Sequence, residues 1–256
     1  MASMVQVLSR RDRVRAATTQ EIIQTARKLL VQQGPEAVSL RAIAREMGMT
    51  APALYRYFAS HEELLRHVVA DIFTELATHV RTAVHAAADA YPSDLTEGEI
   101  MVIKMIAGCR EFRAWTLTHV PEFSMIFGSP LPGMEVLHEM HRDPTIDCGY
   151  QFGQVFLDLF GDLYRRRPFS IPADEDIQPS LREQLARYRG LVQSDLPLGA
   201  LQTFLRCWVL LYGSVSLEAF GHLEFALDDP APMFELMLSD LAPMIGLEYP
   251  LPARGD

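Results

Sequence analysis

The chain has 256 residues, 49% of them hydrophobic, and a formal net charge of −10, which suits one or two domains with a substantial core. Its apolar runs, such as Cys207–Gly213, fall short of the roughly 18 residues of a membrane span, and its N-terminus sets basic residues after a very short apolar patch, the wrong order for a signal peptide. A cytoplasmic protein is therefore expected, with Cys109, Cys148 and Cys207 as free, mostly buried thiols rather than a disulfide framework or a zinc site.

The charge is unevenly spread. Residues 10–67 hold ten Lys and Arg against six Asp and Glu, a balance of +4, which leaves −14 for the remainder. A small basic module on a larger acidic body suggests a polyanion partner for the first part only. Residues 1–17 include Arg10, Arg11, Arg13 and Arg15 without apolar periodicity. They are expected to form a flexible basic arm along phosphates or in a minor groove.

Helices follow in chain order. In residues 18–34, Ile22, Ile23, Ala26, Leu29 and Leu30 recur at helical spacing, with Thr18 or Thr19 as cap and Gly34 as stop. In residues 39–48, Ser39 is placed to cap, Leu40, Ile43, Ala44 and Met47 form one stripe, and Gly48 ends it. Thr50 is placed to cap a third helix with Pro52 in its first turn and Leu54 and Phe58 facing inward. A long helix begins after Ser60, which has capping-box spacing to Glu63. Residues 91–99 break it, and further helices are predicted over 99–120, 143–168, 180–193, 198–225 and 231–247, with a short helical turn and then a Pro- and Gly-rich loop over 121–133 and a polar loop at 168–180. The expected fold class is all-α.

Two short helices separated by Gly48-Met49 give a helix-turn-helix pattern. The second must push its N-terminal end into a major groove, so that end should be slim, as Ala51, Pro52 and Ala53 are. Ala53 or the Pro52 ring can touch a thymine methyl, and Arg56, two positions from inward-facing Leu54, can donate to a guanine edge. Tyr55 and Tyr57 carry hydroxyls that can reach phosphates, although half-buried packing explains Tyr55 equally well. Ser39 and Arg41 open the preceding helix, where free N–H groups and the helix dipole favour phosphate.

Residues 18–67 resemble the DNA-binding domain of TetR-type transcriptional repressors, through "ARKLLVQQG" and "SLRAIAREMGMTAPALYRYFASHEELL" and their spacing. The resemblance implies base or groove contacts from Thr50, Ala51, Pro52, Ala53 and Arg56, and phosphate contacts from Ser39, Arg41, Tyr55, Tyr57 and His61. Two positions depart from the family pattern: His61 stands where lysine is usual, and Tyr57 where histidine is common. More loosely, residues 112–133 and 210–223 resemble a TetR subgroup named for a Trp-His-Gly motif, reduced here to Leu211-Tyr212-Gly213. This implies a helix-turn-helix domain over 18–67 and a helical body over 68–256 that binds a small-molecule effector and dimerises through its last two long helices.

The body's own residues fit both tasks. Phe152, Phe156, Phe160 and Tyr164 form a stripe at every fourth position; Met101, Met105, Phe112, Trp115 and His119 share one helix, and Trp208 lies on another. Such side chains wall either an apolar ligand pocket or an ordinary core. Gly213, Ser216 and Ala219 are small residues at spacing three, with Leu205, Leu211 and Val215 supplying bulk for an intersubunit packing; burial within one subunit is the alternative.

Catalytic signals are poor. His138-Glu139-Met140-His141 lacks the four-residue histidine spacing of a zinc protease helix, and there is no Gly-rich phosphate loop and no G-x-S-x-G. No metal or cofactor is expected. Two readings stand: a homodimeric, ligand-responsive repressor on double-stranded operator DNA, or an all-helical enzyme or carrier using the aromatic cavity.

Overall fold

The computed structural model describes residues 9–34, 37–89, 96–128, 147–247 and 249. They form ten α-helices and no strand among the described residues: α1 Arg10–Gln33, α2 Leu40–Glu46, α3 Ala51–Leu54, α4 His61–Asp89, α5 Glu97–Thr118, α6 Val120–Phe123, α7 Asp147–Arg166, α8 Pro179–Leu191, α9 Leu198–Ala219 and α10 Ala231–Leu241. The fold is all-α, as the periodicity predicts. The His138–His141 segment lies outside the described residues.

The chain divides into two units. The first comprises residues 1–74 and 121–148, so its edge falls inside α4 rather than at residue 67. Its core is the apolar stripe of each helix: Ile22, Ala26 and Leu30 of α1, Ile43 of α2, Leu54, Phe58, and Leu64, Val68 and Ile72 of α4 are buried. Phe58 and Leu54 are almost wholly covered, and losing a ring or isobutyl group from such a site costs about 2–5 kcal/mol. Residues 121–128 join this unit through Phe127, whose ring meets Phe73 at 5.4 Å and Phe123 at 5.0 Å.

Three local expectations are corrected here. Residues 10–17 are not an arm but the first two turns of α1, which starts after Ser9; the Ser9 hydroxyl accepts from the Asp12 amide at 3.2 Å. No Gly or Pro interrupts residues 10–33, so the helix propagates through the arginines. Thr18 and Thr19 are therefore interior, and their hydroxyls donate back to the Val14 and Arg15 carbonyls at 3.0 Å instead of capping. At the start of α4 the Glu63 amide donates to Ser60 Oγ at 3.1 Å, but the Glu63 carboxylate accepts from the Ala59 amide at 2.6 Å, one residue before the partner a capping box would use.

Gly48 sits between α2 and α3 at φ +66, in the left-handed region where a side chain would collide with its own backbone. It lets the chain turn within a few residues from α2 into α3. Beyond Leu54 the chain winds through tighter bonds from the Arg56 amide to Ala53 and from the Tyr57 amide to Leu54, which end the α-helix while still burying Phe58.

The second unit comprises residues 75–120 and 149–256. Here α9 packs against α5, α8 and α10. Thr96 and Glu99 complete a true capping box at the start of α5. The stripe on α7 builds an aromatic cluster, with Phe152 5.5 Å from Phe112 and 5.6 Å from Phe156, and Trp208 of α9 within 6 Å of all three. At Gly199 a Cβ would lie 2.1 Å from the Pro172 carbonyl oxygen, so only glycine lets the 168–178 loop close on the start of α9. Contrary to the sequence expectation, α9 is long and apolar enough to cross a membrane, with a mean hydropathy of 1.2. It nevertheless serves as a core helix: Ala200, Leu201 and Val215 are fully buried, and Glu218 is paired bidentately with Arg113 of α5 at 2.5–2.6 Å.

Candidate nucleic-acid interface and apolar cavity

The first unit carries the residues expected at DNA close together in the chain, around α2, α3 and the turn that follows. Ser39 caps α2 by accepting from the Ala42 amide at 3.2 Å, which leaves its hydroxyl hydrogen to donate. Arg41 and Arg45 are exposed on α2. At the start of α3 Thr50 makes no capping bond, so the helix's first amides are not taken up by its side chain. Pro52 is exposed and Ala51 and Ala53 are half-buried, a slim tip with Leu54 turned inward. Tyr55 is 53% exposed, which argues against the packing alternative for that ring, and Arg56 is exposed beside it. Nine of the ten residues expected at DNA thus lie on α2 and α3, at their N-caps or in the turn after α3.

His61, the tenth, is engaged elsewhere. Its Nε2 lies 2.5 Å from the Val38 carbonyl oxygen. A carbonyl only accepts, so Nε2 carries the hydrogen and the ring ties the first turn of α4 to the segment before α2. Nδ1 is the ring nitrogen left to meet a phosphate, the contact that the family resemblance implies at this position.

Sequence reasoning missed Arg15. Its Nη2 donates to the Arg56 carbonyl at 3.1 Å, and its guanidinium stands 5.4 Å from the centre of the Tyr57 ring. This cation–π contact fixes the end of the reading turn against α1. It was illegible because residues 41 apart are brought together only by packing.

Sequence reasoning also missed a buried charge cluster in this unit. Arg27 of α1 donates from Nε to Glu122 of α6 at 3.2 Å and lies 3.6 Å from Asp71 of α4. Gln20 and Gln24 amides donate to the two Asp71 oxygens at 2.8 and 3.1 Å. Arg27 and Glu122 are both buried; unpaired, either charge would carry a large desolvation cost.

The second unit holds an apolar cavity walled by residues of α5, α7, α9 and α10, part of it open to solvent. Of the residues expected there, Met105, Phe156, Phe160 and Trp208 line it. Met101, Phe112, Trp115, His119 and Phe152 do not. Phe112 and Phe152 stand behind Phe156 and Trp208 as a second layer. Trp115 donates from Nε1 to Glu75 at 3.2 Å and stacks on His119 at 4.6 Å. The walls also include Cys109, Cys207 and Tyr249. Burial pushes the Cys109 thiol up to about 12 and the Cys207 thiol up to about 11, so both stay protonated and unreactive at neutral pH.

The small-residue stripe on α9 is only partly placed as expected. Val215 is buried within its own chain and Leu211 lines the cavity, so neither faces a partner. Leu205, Ser216 and Ala219 are half-buried. Nothing lies within 4 Å of where a Cβ on Gly213 would stand. The exposed apolar side chains are instead Val209, Leu210 and Leu217 of α9 with Met233 and Leu236 of α10.

The family model described as bacterial regulatory proteins, tetR family, matches residues 22–68, and the model described as the tetracyclin repressor-like C-terminal domain matches residues 105–241. The chain belongs to the TetR family. The second match spans both body segments that carried the looser resemblance. A curated relative, the HTH-type transcriptional regulator Rv1816 of Mycobacterium tuberculosis (strain ATCC 25618 / H37Rv), is 29% identical over 239 residues, 92% of this chain and 94% of the relative. The Mycobacterium bovis regulator Mb1846 gives the same figures. Among solved structures, the regulatory protein SCO4313 is 28% identical with a TM-score of 0.67, covering 91% of this chain and 98% of that one. A Rhodococcus sp. RHA1 protein of unknown function shares the fold, with a TM-score of 0.57 at 16% identity over 95% of this chain and 97% of that one. The family and these curated relatives are transcriptional regulators, not enzymes, which sets aside the enzyme reading.

Proposed function

We propose that this TetR-family regulator is a cytoplasmic repressor that binds a pseudo-palindromic operator as a homodimer and leaves it when a small, largely apolar ligand enters the body. The observation that carries this reading is the apolar pocket in the body, walled by Met105, Phe156, Phe160, Trp208 and Leu211 and partly open to solvent, in a chain that also presents a reading head; apolar walls of this kind suit a largely apolar small molecule. In the head, Thr50, Ala51, Pro52 and Ala53 enter the major groove, Arg56 reads a base, and Ser39, Arg41, Tyr55 and Tyr57 hold the backbone. The exposed apolar strip on α9 and α10 supplies the dimer contact, with Gly213 at its close-approach point.

A ligand preferring one spacing of the two heads shifts the population toward that spacing. A gel shift with the DNA upstream of its own gene tests the reading. Specific retardation at moderate salt, relieved by a cavity-binding molecule, is expected; absence of specific retardation sinks it.

A further inference from the structure

Every residue from Ser9 to Ala17 is exposed, and the first residue of α1 buried in the core is Ile22. Two turns of helix therefore stand clear of the core, and burial does not account for them. They hold Arg10, Arg11, Arg13 and Arg15 against one acid, Asp12, so three of the four net positive charges of residues 10–67 lie here. Asp12 is taken up locally, its carboxylate accepting from the Ser9 hydroxyl at 2.6 Å. Cations at a helix N-terminus oppose the positive end of its dipole, so this placement costs the helix stability. A local conflict of this kind marks a surface kept for binding.

Arg15 shows where that surface lies. Its guanidinium donates to the Arg56 carbonyl at 3.1 Å and stands 5.4 Å from the centre of the Tyr57 ring, so these two turns run beside the reading turn. Arg11 precedes Arg15 by four residues, on the same helix face and one turn, about 5.4 Å, further out. At about 100° per residue, Arg10 and Arg13 fall on the opposite face.

We propose that the first two turns of α1 are a second DNA-binding element, in which Arg11 grips a backbone phosphate outside the bases read by α3 and Arg15 keeps that grip in register with Arg56. This rests on the reading of α2 and α3 as the DNA-reading head. A guanidinium presents a fixed fork of donors that matches phosphate oxygens. A flexible arm would lose conformational entropy on binding. These turns are already ordered, by the Ser9 cap at one end and by Arg15 on the reading turn at the other. The grip carries no sequence information, since every phosphate is alike. Its energy is electrostatic, so it is largest at low salt.

The test measures binding by fluorescence anisotropy over about 50–300 mM KCl. Two labelled duplexes serve as probes: the DNA upstream of its own gene, and a scrambled duplex of the same length and composition. Arg11→Gln should weaken both alike, by about tenfold, and flatten the plot of log Kd against log salt by about 1 for each bound head. Arg11→Lys should keep the slope. The variant Arg10→Gln/Arg13→Gln removes twice the charge from the opposite face and should change the slope less than half as much as Arg11→Gln. Arg15→Met should relax discrimination at the base position that Arg56→Ala relaxes, which the Arg11 variants leave intact. All these sites are exposed, so circular dichroism should show unchanged helicity in each variant. A wild-type slope in Arg11→Gln would overturn the phosphate grip. Equal losses in Arg11→Gln and the Arg10/Arg13 variant would overturn it in favour of diffuse charge. Unchanged discrimination in Arg15→Met would overturn the coupling to Arg56. If the wild type does not prefer the upstream duplex, the operator reading of that DNA fails, while the slopes on the scrambled duplex still decide the role of Arg11.

Discussion

Replacing Glu122 by alanine should destabilise the first unit more than any surface substitution of a carboxylate. The Glu122 side chain is 6% exposed and Arg27 is 10% exposed, with 3.2 Å between Nε and the carboxylate oxygen. Removing one member of a buried pair costs about 3–5 kcal/mol because the other charge is stranded. Arg27 keeps Asp71 at 3.6 Å, and that carboxylate is 22% exposed, so part of the charge remains compensated and the expected loss is about 2–3 kcal/mol. In a chain of this length about 2–4 °C of melting temperature accompanies each kcal/mol, giving a drop of roughly 5–10 °C. The assay is thermal unfolding by circular dichroism on Glu122→Ala, Arg27→Met and the double variant Arg27→Met/Glu122→Leu. The double variant buries neither charge and should recover to within about 1–2 kcal/mol of wild type. A Glu122→Ala melting point within about 1 °C of wild type, or a double variant no better than the single, would refute the claim that this contact anchors α6 on α1.

Arg56→Ala should relax operator specificity at one base position by about 1–3 kcal/mol in competition gel shifts; an equal loss on all sequences would make Arg56 a phosphate contact. Val209→Asp with Leu217→Asp, at sites 65% and 44% exposed, should turn the dimer into monomers by light scattering without lowering helicity, and a persistent dimer would place the interface elsewhere. Gly199→Ala should cost about 1–3 kcal/mol in melting experiments through overpacking against Pro172, since that neighbour is a backbone oxygen and cannot swing aside. Arg110 holds the Glu235 carboxyl below its usual range, while burial pushes the Tyr249 phenol up to about 12. A depressed carboxyl contributes stability above its unfolded pKa and loses it as pH falls through the folded value. The stability difference between wild type and Glu235→Gln in thermal unfolding should therefore stay constant from pH 6 to 9 and shrink only below the ordinary carboxylate range; a transition near neutrality would show that another group controls this contact.

How much was legible in advance depended on the range of the interactions. The helix-turn-helix could be read because capping, a 3.6-residue stripe and a glycine turn are local: Ser39, Ile43, Gly48 and Leu54 each act within a few residues of themselves. Arg15 on Arg56 and Arg27 on Glu122 could not be read, because residues 41 and 95 apart meet only after folding. Local signals also misled where propagation outran them. The basic run before Thr18 looked like an arm, yet nothing in it stops a helix, so α1 extends through it.

By itself the sequence determined the helices, the slim tip at residues 51–53, the basic head on an acidic body and the family. These follow from periodicity, side-chain size and net charge, which are properties of the chain at any conformation. The tertiary structure decided which apolar residues face what. Phe112 and Phe156 lie on equally apolar stripes, but only Phe156 reaches the cavity; Leu211 and Leu210 are neighbours, one in the wall and one exposed. A stripe fixes which side of a helix is buried, but not whether it meets a ligand, a neighbouring helix or a second copy, because all three present the same apolar surface to it.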